Sequence, residues 1–197
     1  MAHSSFFAIL NRMKYINRWG LMRNTTPESL SLHSFDTAVL AHALCELANA
    51  RFGAHMDPGR AALLGLYHDA PEIFTGDLPT PVKYFSPDIR GAYRQVEDHS
   101  RRRLLEMLPA DLRPRFVPLL APRAADGEDA HLLRLVKAAD KLSALIKCIE
   151  EEKAGNREFQ SAAAAQDAYL RAMHLPEVDC FLTEFLPAYR LPLDEQK

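Results

Sequence analysis

Apolar residues recur along most of this chain at steps of three and four, the period that gathers them on one face of a helix. Phe6, Ile9, Leu10, Met13 and Ile16 describe a first helix that ends before Arg18-Trp19-Gly20. After the turn-like Thr25-Thr26-Pro27, a second helix carries Leu32, Val39, Leu40, Ala43, Leu44 and Leu47. His33 shares a stripe with Thr37, Leu40 and Leu44, which turns its ring inward. Asp57-Pro58 is an N-cap followed by proline in the first turn, and Leu63, Leu64, Leu66 and Tyr67 carry the next helix up to His68 and Asp69. Pro71 either stops that helix or begins another short one.

Leu78-Pro79-Thr80-Pro81 reads as a stiff loop, because residues before proline avoid the helical region and prolines lack a donor. Ser86-Pro87 opens a helix with Ile89, Tyr93, Val96, Leu104, Met107 and Leu108 inward and Arg101 to Arg103 on a solvated face. Pro109, Pro114, Pro118 and Pro122 set a shorter helical stretch apart from a linker, Ala121 to Gly127, with the composition of the most mobile internal segment. From Glu128 to about Glu152 the positions Leu132, Leu135, Val136, Ala139, Leu142, Ile146 and Ile149 predict a long helix, stopped by Gly155-Asn156, with Asp140 at the border of its apolar stripe. An Ala-rich helix from about Glu158 to Met173 follows, and Pro176 separates it from a last one through Phe181, Phe185 and Leu186. There is no internal repeat and no convincing strand pair, so the expected fold is all-α, a single helical domain over residues 1–197.

Composition narrows the partners. With 24 Lys+Arg against 26 Asp+Glu and a pI near 6.4, no basic excess draws the chain onto a nucleic acid polymer or an anionic membrane, so any phosphate binding must be local. Cys45, Cys148 and Cys180 are far apart and contain no CxxC, which suggests neither a disulfide framework nor a thiolate zinc site but reduced thiols in a cytoplasmic protein. Phe6 to Leu10 is apolar, yet Asn11, Arg12 and Lys14 interrupt it before a signal-peptide core or membrane span is complete, and no later segment does better. The chain is expected to be soluble and unexported.

The candidate chemistry centres on His68 and Asp69, adjacent at the end of an apolar helical run, with Glu72 three residues on. Adjacent imidazole and carboxylate ligands can grip one divalent cation while a nearby carboxylate moves protons, the equipment of a metal-assisted hydrolase. His33 upstream and Asp140 downstream would complete a mixed shell of two nitrogens and two oxygens, which suits Mn, Co, Ni, Zn or Fe better than Ca or Mg. Each residue also has a plainer reading. His33 fits a satisfied core histidine, Asp140 fits a pair with Lys137, Lys141 or Lys147, and Glu72 fits an exposed glutamate in a first helical turn. A helical binding module that keeps a metal for structure alone is the competing class.

The order His33, then His68-Asp69, then Asp140 on successive helices resembles the HD-domain metal phosphohydrolases. Longer segments resemble the YfbR-type 5′-deoxynucleotidases: residues 16–23 (INRWGLMR), 31–34 (SLHS), 67–72 (YHDAPE), 75–84 (TGDLPTPVKY) and 136–142 (VKAADKL). The likeness runs over nearly the whole chain and departs at Pro71. It implies a single HD-domain helical bundle and hydrolysis of 2′-deoxyribonucleoside 5′-monophosphates to deoxyribonucleosides and phosphate, with metal-activated water as nucleophile. His33, His68, Asp69 and Asp140 are implied as ligands of one divalent transition ion such as cobalt or manganese. Glu72 is implied as the catalytic acid/base and Arg18 as the phosphate-orienting residue; Trp19, Asp77, Leu78, Pro79 and Thr80 contact the nucleotide, as do Asp69 and Asp140. A homodimer is implied as well.

Overall fold

A computed structural model describes residues 3–83, 85–122 and 128–196. Among these the fold is helical: α1 (Phe6–Leu10), α2 (Leu30–Phe52), α3 (Pro58–Tyr67), α4 (Thr80–Lys83), α5 (Pro87–Glu106), α6 (Arg113–Leu120), α7 (Glu128–Lys153), α8 (Gln160–Ala172) and α9 (Pro176–Glu184), joined by short 3-10 turns. The one extended pairing among the described residues is an antiparallel bridge between Asn17 and Ser29. The chain divides into two compact units. One comprises Met1–Leu21, Pro27–Ser34 and Tyr67–Arg123, and the other Met22–Thr26, Phe35–Leu66 and Ala124–Lys197. Most of the expected linker Ala121 to Gly127 lies outside the described residues.

The first unit packs Phe6, Ala70, Leu104, Leu108 and Leu120 together, with the Phe116 ring edge-on to Phe6 at 5.2 Å and to Tyr67 at 6.0 Å. α5 starts where the sequence places it, because the Ser86 hydroxyl accepts the Ile89 N–H at 3.2 Å and Pro87 occupies the first turn. Ile89 and Val96, expected inward, are instead 37% and 46% exposed. The apolar stripe of α5 is interrupted by charge: of the six expected positions Tyr93 and Leu104 are buried in the helix and Leu108 just past its end. The stretch expected as a stiff loop also departs from expectation at its end: Thr80, Pro81, Val82 and Lys83 form the one-turn helix α4. Proline is tolerated there because first-turn donors have no partner within the helix, while the N–H groups of Val82 and Lys83 both donate to the Pro79 carbonyl at 2.9 and 3.0 Å.

In the second unit α7 buries Leu132, Leu135, Leu142 and Ile149 completely. It ends at Gly155, whose φ of +83° lets Asn156 N–H reach the Glu151 carbonyl and Gly155 N–H the Glu152 carbonyl, both at 2.9 Å. These are the paired bonds of a Schellman terminus, as the Gly-Asn stop signal predicts. Thr37, Leu40 and Leu44 of α2 are buried, whereas Phe35 and Val39 on its other side, and Leu63 and Leu66 of α3, are exposed. α2 and α3 approach closely at Gly65, where an added Cβ would stand 2.9 Å from Ala38 Cα.

Candidate active site

The first unit gathers most of the expected chemistry. His33 lies in the first turns of α2 and is fully buried, on the stripe its spacing predicts. His68 follows the last residue of α3, and Asp69 sits at the entry to the 3-10 turn Ala70–Ile73, whose first turn contains Pro71. Both imidazoles face one carboxylate oxygen: His68 Nε2 is 3.1 Å and His33 Nε2 is 3.5 Å from Asp69 Oδ2. The rings stand 5.2 Å apart at 61°, with coordinating nitrogens within 4.8 Å of one another. Burial works to raise the Asp69 carboxyl, but the charge and hydrogen bonding of His68 and His33 overcome it and hold it well below its ordinary range. Two imidazole nitrogens and an ionised oxygen turned toward one point form a donor set that fits a borderline divalent ion.

Glu72 stands beside this cluster and is buried, which removes the reading of an exposed first-turn glutamate. Its N–H donates to the Asp69 carbonyl at 2.9 Å, so the turn that follows Asp69 fixes its backbone. Oε1 is 3.6 Å from Lys83 Nζ, and Oε2 makes no hydrogen bond among the described residues. Burial pushes the Glu72 carboxyl up to about 8, the charge of Asp69 adds to the push, and Lys83 opposes it. Lys83 also bonds Glu97 Oε1 at 3.0 Å and lies 4.5 Å from the centre of the Tyr93 ring. Its burial favours the neutral amine, but Glu72 and Glu97 keep it charged, above its ordinary range.

Arg18 and Trp19 occupy the irregular segment after the first helical turns. Trp19 has φ of +61°, a left-handed conformation that a bulky side chain rarely adopts. Its backbone N–H donates to Asp77 Oδ2 at 3.2 Å and its indole N–H to Glu28 Oε2 at 2.8 Å. Arg18 Nη1 donates to the same Glu28 oxygen at 2.7 Å. Asp77 therefore holds the Trp19 backbone. Leu78 and Pro79 are half-buried and Thr80 is exposed.

Asp140 belongs to α7 of the second unit, buried at the border of its apolar stripe. Its carboxylate accepts from Lys137 Nζ at 2.7 Å, with Lys141 Nζ at 3.6 Å; the third lysine considered for it, Lys147, pairs with Glu151. Sequence reasoning passed over Glu28, Lys83 and Glu97 as site residues. The signal for Glu28 was indirect: an inward arginine needs a counter-charge, yet no period or motif says which carboxylate supplies it.

The family model described as 5′-deoxynucleotidase YfbR-like matches residues 5–189. A 5′-deoxynucleotidase of Vibrio cholerae serotype O1 is 47% identical over 195 residues, 99% of each chain. In fold, the chain is similar to an HD-domain phosphohydrolase from Listeria innocua, with a TM-score of 0.80, 23% identity, and coverage of 94% of this chain and 88% of that one. A cyanophage S-2L HD phosphohydrolase, solved with dA and one catalytic zinc ion, gives a TM-score of 0.61 at 21% identity, with 95% of each chain covered.

Proposed function

The chain belongs to the 5′-deoxynucleotidase YfbR-like family, and from that premise we propose that it hydrolyses 2′-deoxyribonucleoside 5′-monophosphates to deoxyribonucleosides and phosphate. It is a phosphoric monoester hydrolase, and residues 1–197 act as one HD-type domain. His33, His68 and Asp69 would hold a single divalent transition ion such as cobalt or manganese, and Asp140 is the further ligand that the family resemblance implies. When bound, such an ion polarises a phosphoryl oxygen and acidifies a water. The observation that carries this reading is the pair of imidazoles turned onto one Asp69 oxygen, with the buried Glu72 carboxylate next to it.

Water attacks phosphorus, the bond to the 5′ oxygen breaks, and that oxygen gains a proton. Glu72 moves the proton, since Oε2 is left without a hydrogen bond from the described residues. Arg18 presents a planar, permanently charged fork to the phosphate. Trp19 and the stretch Asp77 to Thr80 contact the nucleoside, where Leu78 and Pro79 form a stiff wall. Rejecting ribose requires a steric obstacle to the 2′ hydroxyl, because an apolar pocket alone excludes an added hydroxyl poorly.

The protein works as a homodimer in the cytoplasm. Exposed Phe35 and Val39 on α2 and Leu63 and Leu66 on α3 give the second unit an apolar surface of the kind that associating faces carry. No helix among the described residues is long and apolar enough to cross a membrane. The test is phosphate release from a panel of deoxy- and ribonucleoside monophosphates, after chelation and after adding back Co, Mn or Mg. The expected result is higher kcat/KM for dAMP than for AMP, restored by Co or Mn. Equal kcat/KM for the two sugars would overturn the substrate assignment.

A further inference from the structure

We infer that Glu28 is a positioning residue, whose single oxygen Oε2 fixes the Arg18 guanidinium and the Trp19 indole against each other and so sets how the pair meets the substrate. The inference rests on the proposed function in giving Arg18 and Trp19 to the substrate. The attachment itself is read from geometry within the first unit. Oε2 accepts from Arg18 Nη1 at 2.7 Å and from Trp19 Nε1 at 2.8 Å, and the guanidinium carbon lies 5.7 Å from the centre of the indole ring. One acceptor atom shared by two donors couples their positions, so neither side chain can swing without loosening the other.

The base from which Glu28 reaches is itself fixed. Arg18 N–H donates to the Glu28 carbonyl at 2.9 Å, Leu30 N–H donates to the Ile16 carbonyl at 2.8 Å, and Asn17 bridges Ser29 between them. Residues 16–18 and 28–30 thus form a short antiparallel tie, and the side chain of Glu28 leaves it 6% exposed. A carboxylate at that depth requires its donors, since a buried charge without them is strongly unfavourable. The left-handed backbone of Trp19 points the same way. A conformation of this kind persists only where the surroundings over-determine it, and here Asp77 takes the backbone N–H while Glu28 takes the indole.

Trp19 is the one tryptophan of the chain, so emission excited at the red edge, where the six tyrosines do not absorb, reads its surroundings alone. Glu28→Gln keeps the shape and removes the charge. The expected result is a shifted Trp19 emission, easier acrylamide quenching, unchanged helix content and metal content, and a kcat/KM for dAMP lower by about tenfold to a hundredfold, chiefly through KM. A variant whose emission, quenching and KM all match the wild type overturns the inference. Should Glu28→Gln fail to fold, Glu28→Asp, which keeps the charge and shortens the reach, decides by Trp19 emission and KM together: a shifted emission with a raised KM supports the inference, and an emission or KM that stays at the wild-type value overturns it. A wild-type protein inert toward dAMP would instead defeat the proposed substrate, while the fluorescence comparison would still show whether Glu28 holds Trp19.

Discussion

Each unit buries a cluster of charged side chains, and the two are satisfied to different degrees. In the second unit Glu151 accepts from Lys147 Nζ, from the N–H and hydroxyl of Thr25, from the Thr26 N–H and from the Asn156 side-chain amide. Lys147 in turn donates to the Thr26 carbonyl at 2.6 Å. Both oxygens of this carboxylate are taken up by the protein itself, and the product is a clamp of residues 25–26 onto α7. In the first unit two imidazoles meet one oxygen of Asp69, and Glu72 keeps an oxygen out of any hydrogen bond among the described residues. A saturated network spends its bonds on one conformation, whereas an incomplete one keeps capacity for a ligand and for proton movement.

The contrast is sharpest if each cluster fails in its own way. Glu72→Gln should lower kcat by about 10²–10⁴-fold, the usual worth of a positioned acid or base, while metal content and melting temperature stay near those of the wild type. Steady-state kinetics with metal analysis checks this, and a loss confined to stability would erase the distinction between the clusters.

Glu151→Gln should do the reverse. Removing one partner of a buried pair leaves Lys147 uncompensated and costs about 3–5 kcal/mol of stability, read by denaturant unfolding, with kcat per folded molecule unchanged. The pH dependence has a definite sign. Burial works to raise the Glu151 carboxyl, but hydrogen bonds from Lys147, Thr25 and Asn156 outweigh it and hold it far below its ordinary value of 4.5. Its contribution is therefore complete above that value and is lost as pH falls through the lower folded-state value. Acid unfolding of the wild type should be steeper below about pH 4.5 than that of Glu151→Gln, and parallel curves would count against the clamp.

The smallest effect belongs to a position where backbone alone is at stake. Nothing lies within 4 Å of a Cβ built at Gly155, so Gly155→Ala should cost only the left-handed strain, about 1–2 kcal/mol, with activity untouched. Thermal unfolding would detect it.

Much of this was readable in the sequence, for reasons that vary by residue. The inward face of His33 follows from its period with Thr37, Leu40 and Leu44, and the ends of α3, α5 and α7 follow from Asp57, Ser86 and Gly155 acting as local caps. Periodicity identifies a helix more surely than its buried side. Leu32 and Val39 belong to the apolar pattern of α2 yet are exposed, because apolar residues fall on more than one side of that helix. Pro81 breaks a helix by the general rule, but the first turn of α4 accommodates it. Glu28 was invisible because its importance lies in two hydrogen bonds across an irregular loop, and no spacing rule covers those. The same limit applies to Asp140, whose lysine partners became definite only in three dimensions.

On the proposed function, phosphate release depends on a divalent ion held by His33, His68 and Asp69. Cobalt titration by calorimetry of the chelated wild type and of His68→Ala, run beside dAMP hydrolysis on the same samples, tests it most directly. One ion per chain in the wild type, with binding and hydrolysis lost together in the folded variant, is the predicted result. Full hydrolysis by the chelated wild type, or wild-type cobalt affinity in His68→Ala, would contradict it.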